Sequence, residues 1–489
     1  MVILFFLSSG LFLGWSLGAN DSANIFGTAV GSKMVKFKYA AIVASIFVVL
    51  GATYAGSGAS RTLGELGSIN AIAGAFVVSL AAALSVFWMT RIKLPVSTSQ
   101  AIVGAIVGWN FFSHSLTNYN SLAKIILTWF FSPVIAAVCS ILIYFIGIKI
   151  MKRVRIHLIM SDHLIRLGLI IVGAFGAYSL GANNIANVMG VFVPVTPFKP
   201  ISFLGLYLSG AQQLFFIGGI AIAVGIISYS RHVMETVGNE LFPMKPVVAL
   251  IAVLSMSIVM FLFSSVKLES ILLANGLPAI PLVPVSSSQA IIGAIVGIGI
   301  FHGGRGLNVK ILTSIAAGWV VTPLIAGLLC FTSLFFIQNV FNQKVYQPVS
   351  YKITGEVLEY LSKLNVNTAP IEKLKHVEFK NAKELQHALE KIQFSSKYIS
   401  SIKIIEISKI ENIIIDVKKL NKKDKKWFTK KQLDYLQLIN KSKFKYFWQF
   451  KNKLILHKSF SYKKSIKINK SFNVKLTQKI HFLRRMFKN

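Results

Sequence analysis

Two short polar motifs, each present twice, carry the chemistry open to this chain. Gly18-Ala19-Asn20-Asp21-Ser22-Ala23-Asn24 recurs as Gly181-Ala182-Asn183-Asn184-Ile185-Ala186-Asn187. Pro95-Val96-Ser97-Thr98-Ser99-Gln100 recurs as Pro284-Val285-Ser286-Ser287-Ser288-Gln289. In the first pair, glycines and Asx residues favour unwinding, which frees carbonyls for a cation and amide N–H groups for an anion. Asp21 is the sole acid in the first 64 residues and is the natural cation ligand. An ionised Asp at bilayer depth costs at least ~2.5–3.5 kcal/mol unless it faces a cavity or a partner. In the second pair, a proline stands at a helix start and three hydroxyl residues flank the unpaired amides of the first turn. Helix N-termini take oxyanions without a cationic side chain. The bland alternatives are a small-residue packing seam around a hydrogen-bonded Asp and Ser/Thr caps with no ligand. Duplication of both motifs favours the functional reading.

The elements that must position these residues are apolar. Hydrophobic residues make up 54% of the 489, only 14% are charged, and mean hydropathy is +0.63; soluble domains carry roughly 25% charged residues. Stretches long enough to span about 30 Å of hydrocarbon lie near 39–58, 69–90, 123–150, 164–182, 202–229, 246–264 and 311–340. Shorter, broken ones lie at 2–31, 95–112, 183–198 and 270–300. Internal repeats with interrupted apolar segments at matching places point to a substrate site at the repeat interface. Each Ser-rich copy continues as Gly-Ala-Ile-Val-Gly, at 104–108 and 293–297, suited to close packing in a re-entrant hairpin. The first 17 residues lack a basic n-region and lead straight into a motif, so they are not expected to be a cleavable signal. Cys139 and Cys330 have no metal-ligand spacing and are expected to be packing residues.

Four half-helix ends converging on one midplane site would offer carbonyls, one carboxylate, amides and hydroxyls. That set suits a small tetrahedral oxyanion moved together with cations. A dianion entering against ~100 mV, inside negative, loses roughly 4.6 kcal/mol; two co-ions cancel that and a third lets the potential drive uptake. Neither motif contains a His, a Cys or paired carboxylates, so an enzyme is not expected.

At this point the residues resemble the inorganic phosphate transporter (PiT) family of cation–phosphate symporters. The resemblance rests on Gly18 to Gly31, Pro95 to Gly108, Gly181 to Asn187, Arg231 to Gly238 and Pro284 to Gly297, and covers roughly residues 1–340. It implies an all-α polytopic membrane protein of two inverted-topology repeats with discontinuous helices and re-entrant hairpins. It implies cation ligands at Asn20, Asp21, Asn24, Asn183 and Asn187, with Asp21 holding sodium if sodium is the coupling ion. It implies phosphate donors at Ser97, Thr98, Ser99, Ser286, Ser287 and Ser288. Three departures stand out. Asn184 replaces the second-half Asp, Val48 stands where many members carry Glu, and Gln100 and Gln289 replace the His that often ends the Ser-rich motif. We group Asn184 with the cation-binding residues, and Gln100 and Gln289 with the anion-binding ones. The site is less acidic than the family pattern. Sodium or a proton remains open as the co-transported cation, a second carboxylate at 184 is excluded, and sulfate or another small oxyanion remains the alternative cargo.

The expected division is a first repeat over 1–150, a second over 151–345 and a basic tail over 346–489. Residues 341–489 hold 34 of the 52 Lys and Arg and 11 of the 17 acids, a net +23. A small domain is expected at 350–420, with a Lys-, Asn-, Ile- and aromatic-rich remainder. Lys149, Lys152, Arg153 and Arg155 place the connection between the repeats on the cytoplasmic side. The expectation is a multi-pass protein of the plasma (inner) membrane with a cytoplasmic tail, no cofactor beyond the co-transported cation, and inorganic phosphate and membrane lipid as partners. For the tail, compositional bias, anionic lipid and, more weakly, nucleic acid remain open, as does a homo-oligomer. A distant alternative makes the membrane part a mere anchor for the tail, but an anchor needs no duplicated polar motifs.

Overall fold

The computed structural model describes residues 2–488 except 68, 92–95, 154–156, 197, 199–200, 204–205, 237–245, 302–308, 393, 395–399, 421, 426 and 464–469. Pro95, Arg155, Val237 and Gly238 of the motifs above therefore lie outside the described residues. Two compact units are present. One comprises residues 1–113 and 117–347, the other 114–116 and 348–489.

The first unit is helical. Its order is α1 (Val2–Asp21), α2 (Ala23–Gly31), α3 (Phe37–Ala55), α4 (Ser57–Leu66), α5 (Ile72–Arg91), α6 (Thr98–Phe112), α7 (Tyr119–Arg153) and α8 (Leu158–Met189). A short antiparallel pair follows, β1 (Ile201–Phe203) and β2 (Leu206–Leu208). Then come α9 (Gly210–Ser228), α10 (Ser230–Thr236), α11 (Pro246–Leu262), α12 (Val266–Ala274), α13 (Ser287–Phe301) and α14 (Val309–Asn339). Among the described residues seven helices are long and apolar enough to cross a membrane, or eight if α11 and α12, bent by 68°, count as one span. Their large side chains are exposed in bands, such as Phe130, Val134, Val138, Leu142 and Phe145 on α7. In water that pattern would be a liability; against lipid it is the required outer face.

The halves are knitted by exchanging partners. Helix α3 packs on α8 and α1 on α9, while α6 packs on α14 and α13 on α7. The closest approaches recur in matched pairs. A Cβ added at Gly18 would sit 2.0 Å from the Ile222 carbonyl oxygen, and one at Gly181 would sit 2.1 Å from that of Val48. Gly104 and Gly293 meet the carbonyls of Pro323 and Pro133 in the same way, at 2.0 and 2.2 Å. Small residues at such crossings let backbones touch where lipid supplies no hydrophobic drive for association.

This overturns the expected unwinding. Helices α1 and α2 are separated by Ser22 alone, whose φ of −63° and ψ of −25° are helical, and its carbonyl still accepts from Ile25 and Phe26. Helix α8 runs without a break through Asn183, Asn184 and Asn187, so 183–198 is not a separate segment. The glycines serve close packing, and the Asx side chains find partners across the interface instead of competing for their own backbone. The 202–229 span likewise begins as helix only at Gly210.

The second unit is α/β. It contains β3 (Tyr351–Lys352), α15 (Gly355–Lys363), α16 (Ala369–Glu372), β4 (Glu378–Phe379), α17 (Ala382–Lys391), α18 (Ser401–Ser408) and β5 (Ile410–Ile414). It continues with α19 (Lys422–Lys425), α20 (Lys430–Leu438), β6 (Lys443–Tyr446), α21 (Phe447–Ile455) and α22 (Lys470–Phe487). One core gathers Ile353, Leu361, Leu385 and Ile404; another gathers Ile413, Leu436, Phe450, Phe460, Leu483 and Phe487. Ordered structure thus runs well past residue 420.

Candidate functional site

Both Ser-rich motifs begin helices in the same manner. Ser97 is the N-cap of α6, its Oγ accepting from Gln100 N at 3.4 Å; Ser286 Oγ accepts from Gln289 N at 3.3 Å at the start of α13. Residues 277–286 before α13 are not helical, so Pro284 precedes the helix instead of opening its first turn. The two starts lie against each other: Ser99 Oγ donates to the Val285 carbonyl at 3.2 Å, and Ser288 Oγ to that of Val96 at 3.3 Å. The three hydroxyls of each motif therefore differ in role. The first caps, the third braces the opposite segment, and both Ser287 and Ser99 meet the Gly-Ala-Asn helices.

Ser287 shows what the second position does. Its Oγ donates to Asp21 Oδ2 at 2.6 Å and accepts from Asn24 Nδ2 at 3.3 Å. Asn184 Nδ2 donates to the same Asp21 oxygen at 3.3 Å. On the other side Asn187 Nδ2 donates to Ser99 Oγ at 2.9 Å. Asn183 is bound to the extended segment before α13, donating to the Val283 carbonyl at 3.2 Å while its Oδ1 accepts from Val285 N at 2.7 Å. Asp21, Asn183, Asn184, Asn187, Ser97 to Gln100 and Ser286 to Gln289 are all buried; Asn20 and Asn24 are partly so. The structure thus brings together α1, α2, α8 and the first turns of α6 and α13.

The charge balance is unusual. Among the described residues no Lys, Arg or His pairs with Asp21, which is met by neutral donors. Four buried amide oxygens, Asn184 Oδ1, Asn187 Oδ1, Gln100 Oε1 and Gln289 Oε1, have no hydrogen-bond partner. Elsewhere in the chain a glutamine three residues after the cap closes a capping box with its Oε1, as Gln212 does on Ser209 and Gln432 on Thr429. Gln100 and Gln289 hold the same spacing without closing the box. Unpaired buried acceptors cost a native structure free energy and call for an occupant. Neutral amide oxygens beside a carboxylate suit a hard monovalent cation. The amides of Thr98, Ser99, Ser287 and Ser288, with no acceptor inside their own helices, suit an oxyanion. No group of three His, Cys, Asp or Glu able to hold a metal ion occurs among the described residues. The two cysteines are free, Cys330 buried and Cys139 partly so.

Sequence reasoning missed the backbone of Val96, Val283 and Val285, which carries no side-chain signal. It also gave no role to Ser22, whose buried Oγ beside Asp21 lacks a partner. Its position inside the motif was the available clue. Of the Arg231 to Gly238 stretch, Arg231 to Thr236 lie on α10, where Arg231 pairs with Glu235 at 3.0 Å on the exposed surface.

The chain matches the phosphate transporter family over residues 17–270 and 273–447. It is 29% identical over 331 residues to a candidate phosphate permease of Methanocaldococcus jannaschii, covering 68% of this chain and 94% of that one. It is 28% identical over 330 residues to the sulfate permease CysP of Bacillus subtilis, covering 65% of this chain and 82% of that one. A solved structure titled the sodium-dependent phosphate transporter shares the fold, with a TM-score of 0.56, 20% identity, and coverage of 69% of this chain and 99% of that one. The chain is a multi-pass, helical membrane protein and belongs to the phosphate transporter family.

Proposed function

We propose that this protein is a symporter that carries inorganic phosphate across the plasma (inner) membrane together with sodium. The observation that carries the reading is Asp21, buried without a cationic partner and held by Ser287 and Asn184 beside the unpaired oxygens of Asn184 and Asn187. Amide oxygens coordinate a sodium ion but take up no proton near neutral pH, which favours sodium over proton coupling. Phosphate fits the anion side because it keeps a hydroxyl near neutral pH that Gln100 Oε1 and Gln289 Oε1 can accept from, whereas sulfate has none. The exchanged helix partners and matched glycine contacts support two related halves, which we take as inverted repeats divided near residue 150 and followed by a cytoplasmic tail. Sulfate is the second reading, favoured by the likeness to a sulfate permease and by Asn184, which leaves the site one carboxylate. Uptake of labelled phosphate and labelled sulfate into proteoliposomes, under imposed sodium or proton gradients, separates these readings. Phosphate accumulation driven by sodium is expected. Sulfate accumulating in preference to phosphate, or a proton gradient sufficing without sodium, would sink the proposal.

A further inference from the structure

The tail's charge is concentrated in one part of the second unit. Residues 348–408 carry 9 Lys and Arg against 7 acids, whereas residues 409–489 carry 24 against 4. Glu411 and Asp416 among those four acids have local partners of their own. Glu411 pairs with Arg484 and Lys409, and Asp416 caps a short turn through Lys418 N. This basic part is folded around its own core, so its lysines stand at fixed places on a surface.

On that surface lies an apolar corner. Leu438, at the end of α20, is 80% exposed and Leu456, just after α21, is 83% exposed, more than any other large hydrophobic side chain among the described residues. The two helix ends are fastened together. The Tyr435 ring stacks on His457 with centroids 3.9 Å apart, and its hydroxyl donates to the Lys453 carbonyl at 3.0 Å. Exposed Lys441, Lys453 and Lys458 flank the pair. Two nearly bare leucines, each with an exposed lysine within three residues of it in the chain, have no benefit in water. They match an anionic lipid surface, where lysines meet headgroups and the leucines enter the acyl boundary.

Single-stranded nucleic acid would want exposed rings for bases to stack on. Here the aromatic side chains are mostly engaged within the fold. Trp427 packs on Phe428 and Phe482, Trp448 stacks on Tyr360 at 4.2 Å, and Phe450 and Phe460 are buried. Phe472 is the exposed exception and has the Lys463 ammonium over its face. The exposed apolar groups of this corner are aliphatic, which favours lipid. We infer that the Leu438–Leu456 corner and its lysines form a docking surface for anionic membrane lipid, independent of what the first unit transports.

The test is hydrogen exchange on the full chain in nanodiscs of phosphatidylcholine, with and without phosphatidylglycerol. Peptides covering 430–458 should exchange more slowly in the anionic discs, and high salt should reverse the effect. Replacing both leucines (Leu438→Ser, Leu456→Ser) should remove the protection, with each leucine contributing about tenfold in lipid association. Both side chains are exposed, so the variant should fold; a second variant, Lys441→Gln, Lys453→Gln, Lys458→Gln, keeps the leucines and should weaken protection in proportion to charge. Equal exchange in both discs would overturn the inference, as would protection that survives the double serine variant. A single-stranded oligonucleotide that protects the same peptides in neutral discs would assign the surface to nucleic acid instead.

Discussion

Asp21 in the first unit and Glu411 in the second are both buried carboxylates, and the two are treated in opposite ways. Glu411 in the second unit is gripped by the Arg484 guanidinium, with Lys409 at 3.9 Å. Burial alone would raise its pKa, but the Arg484 hydrogen bonds and charge, with Lys409 and Lys488, hold the carboxyl below its usual 4.5. Asp21 in the first unit receives hydroxyl and amide donors from Ser287 and Asn184 and, among the described residues, no cation. A buried carboxylate whose charge is already matched is architecture, and removing its partner leaves an uncompensated charge. One met by neutral dipoles alone is oriented but not neutralised, so it retains its attraction for a cation that arrives from outside.

The largest effect expected from this contrast falls on stability. Arg484→Met leaves Glu411 buried with only the weaker charges of Lys409 and Lys488 near it and should destabilise the second unit by about 3–5 kcal/mol. Hydrogen exchange across Ile410–Ile414 and α22 reads this directly. Sodium-driven uptake by the folded fraction should be unchanged; a matching loss of uptake would erase the distinction between the two carboxylates.

Asp21→Asn should do the reverse, reducing coupled uptake to background while expression and monodispersity stay near normal. Adding Asn184→Asp should restore measurable uptake, because residue 184 already touches the Asp21 carboxylate from α8. Full transport by Asp21→Asn alone would remove this residue from the cation site.

A smaller difference separates the matching hydroxyls of the two halves. Ser287→Ala deletes a hydrogen bond to a charged acceptor, worth about 1.5–3 kcal/mol, and should raise the half-saturating sodium concentration about tenfold to a hundredfold. Thr98→Ala deletes the matching hydroxyl of the other motif, which among the described residues makes no hydrogen bond to a carboxylate, and should cost several-fold less. Equal effects in uptake assays would show that the halves contribute alike despite carrying one carboxylate.

Acid sharpens the comparison on the side of Glu411. A carboxylate whose pKa is depressed on folding adds stability above its unfolded value and loses it as pH falls through the folded one. Protection of the second unit should therefore hold from neutral pH down to about 4.5 and decline below it. In Glu411→Gln that decline should be flatter. The smallest expected effect concerns transport after removal of the second unit altogether. The cut belongs after Gln347 rather than near Val345: the Val345 carbonyl accepts from Trp109 Nε1 at 3.2 Å, and the Gln347 backbone N–H and carbonyl pair with the Asn70 side-chain amide. Chains ended there should still accumulate phosphate, at lower abundance, whereas normal membrane levels with no uptake would place the second unit within the mechanism.

Much of this protein was determined along the chain itself. Hydropathy, charge asymmetry and duplicated motifs are properties of nearby residues, and they were enough for the membrane class and for singling out Asp21 and the duplicated motifs as candidates. Tertiary structure decided what could not be local. Gly18 and Gly181, which sequence reasoning assigned to unwinding, are used for backbone contact with Ile222 and Val48, because close packing in lipid rewards a missing Cβ while the helix keeps its own hydrogen bonds. Ser286, Ser287 and Ser288 look alike in sequence, yet one caps, one binds the carboxylate and one braces the opposite segment. A hydroxyl's role depends on which acceptor the fold brings within 3.5 Å, and for Ser287 that acceptor lies 266 residues away. The order past residue 420 was hidden for the same reason. Its lysines dominate the composition, while the residues that bury its core, from Ile413 to Phe487, are spread thinly and meet only on folding.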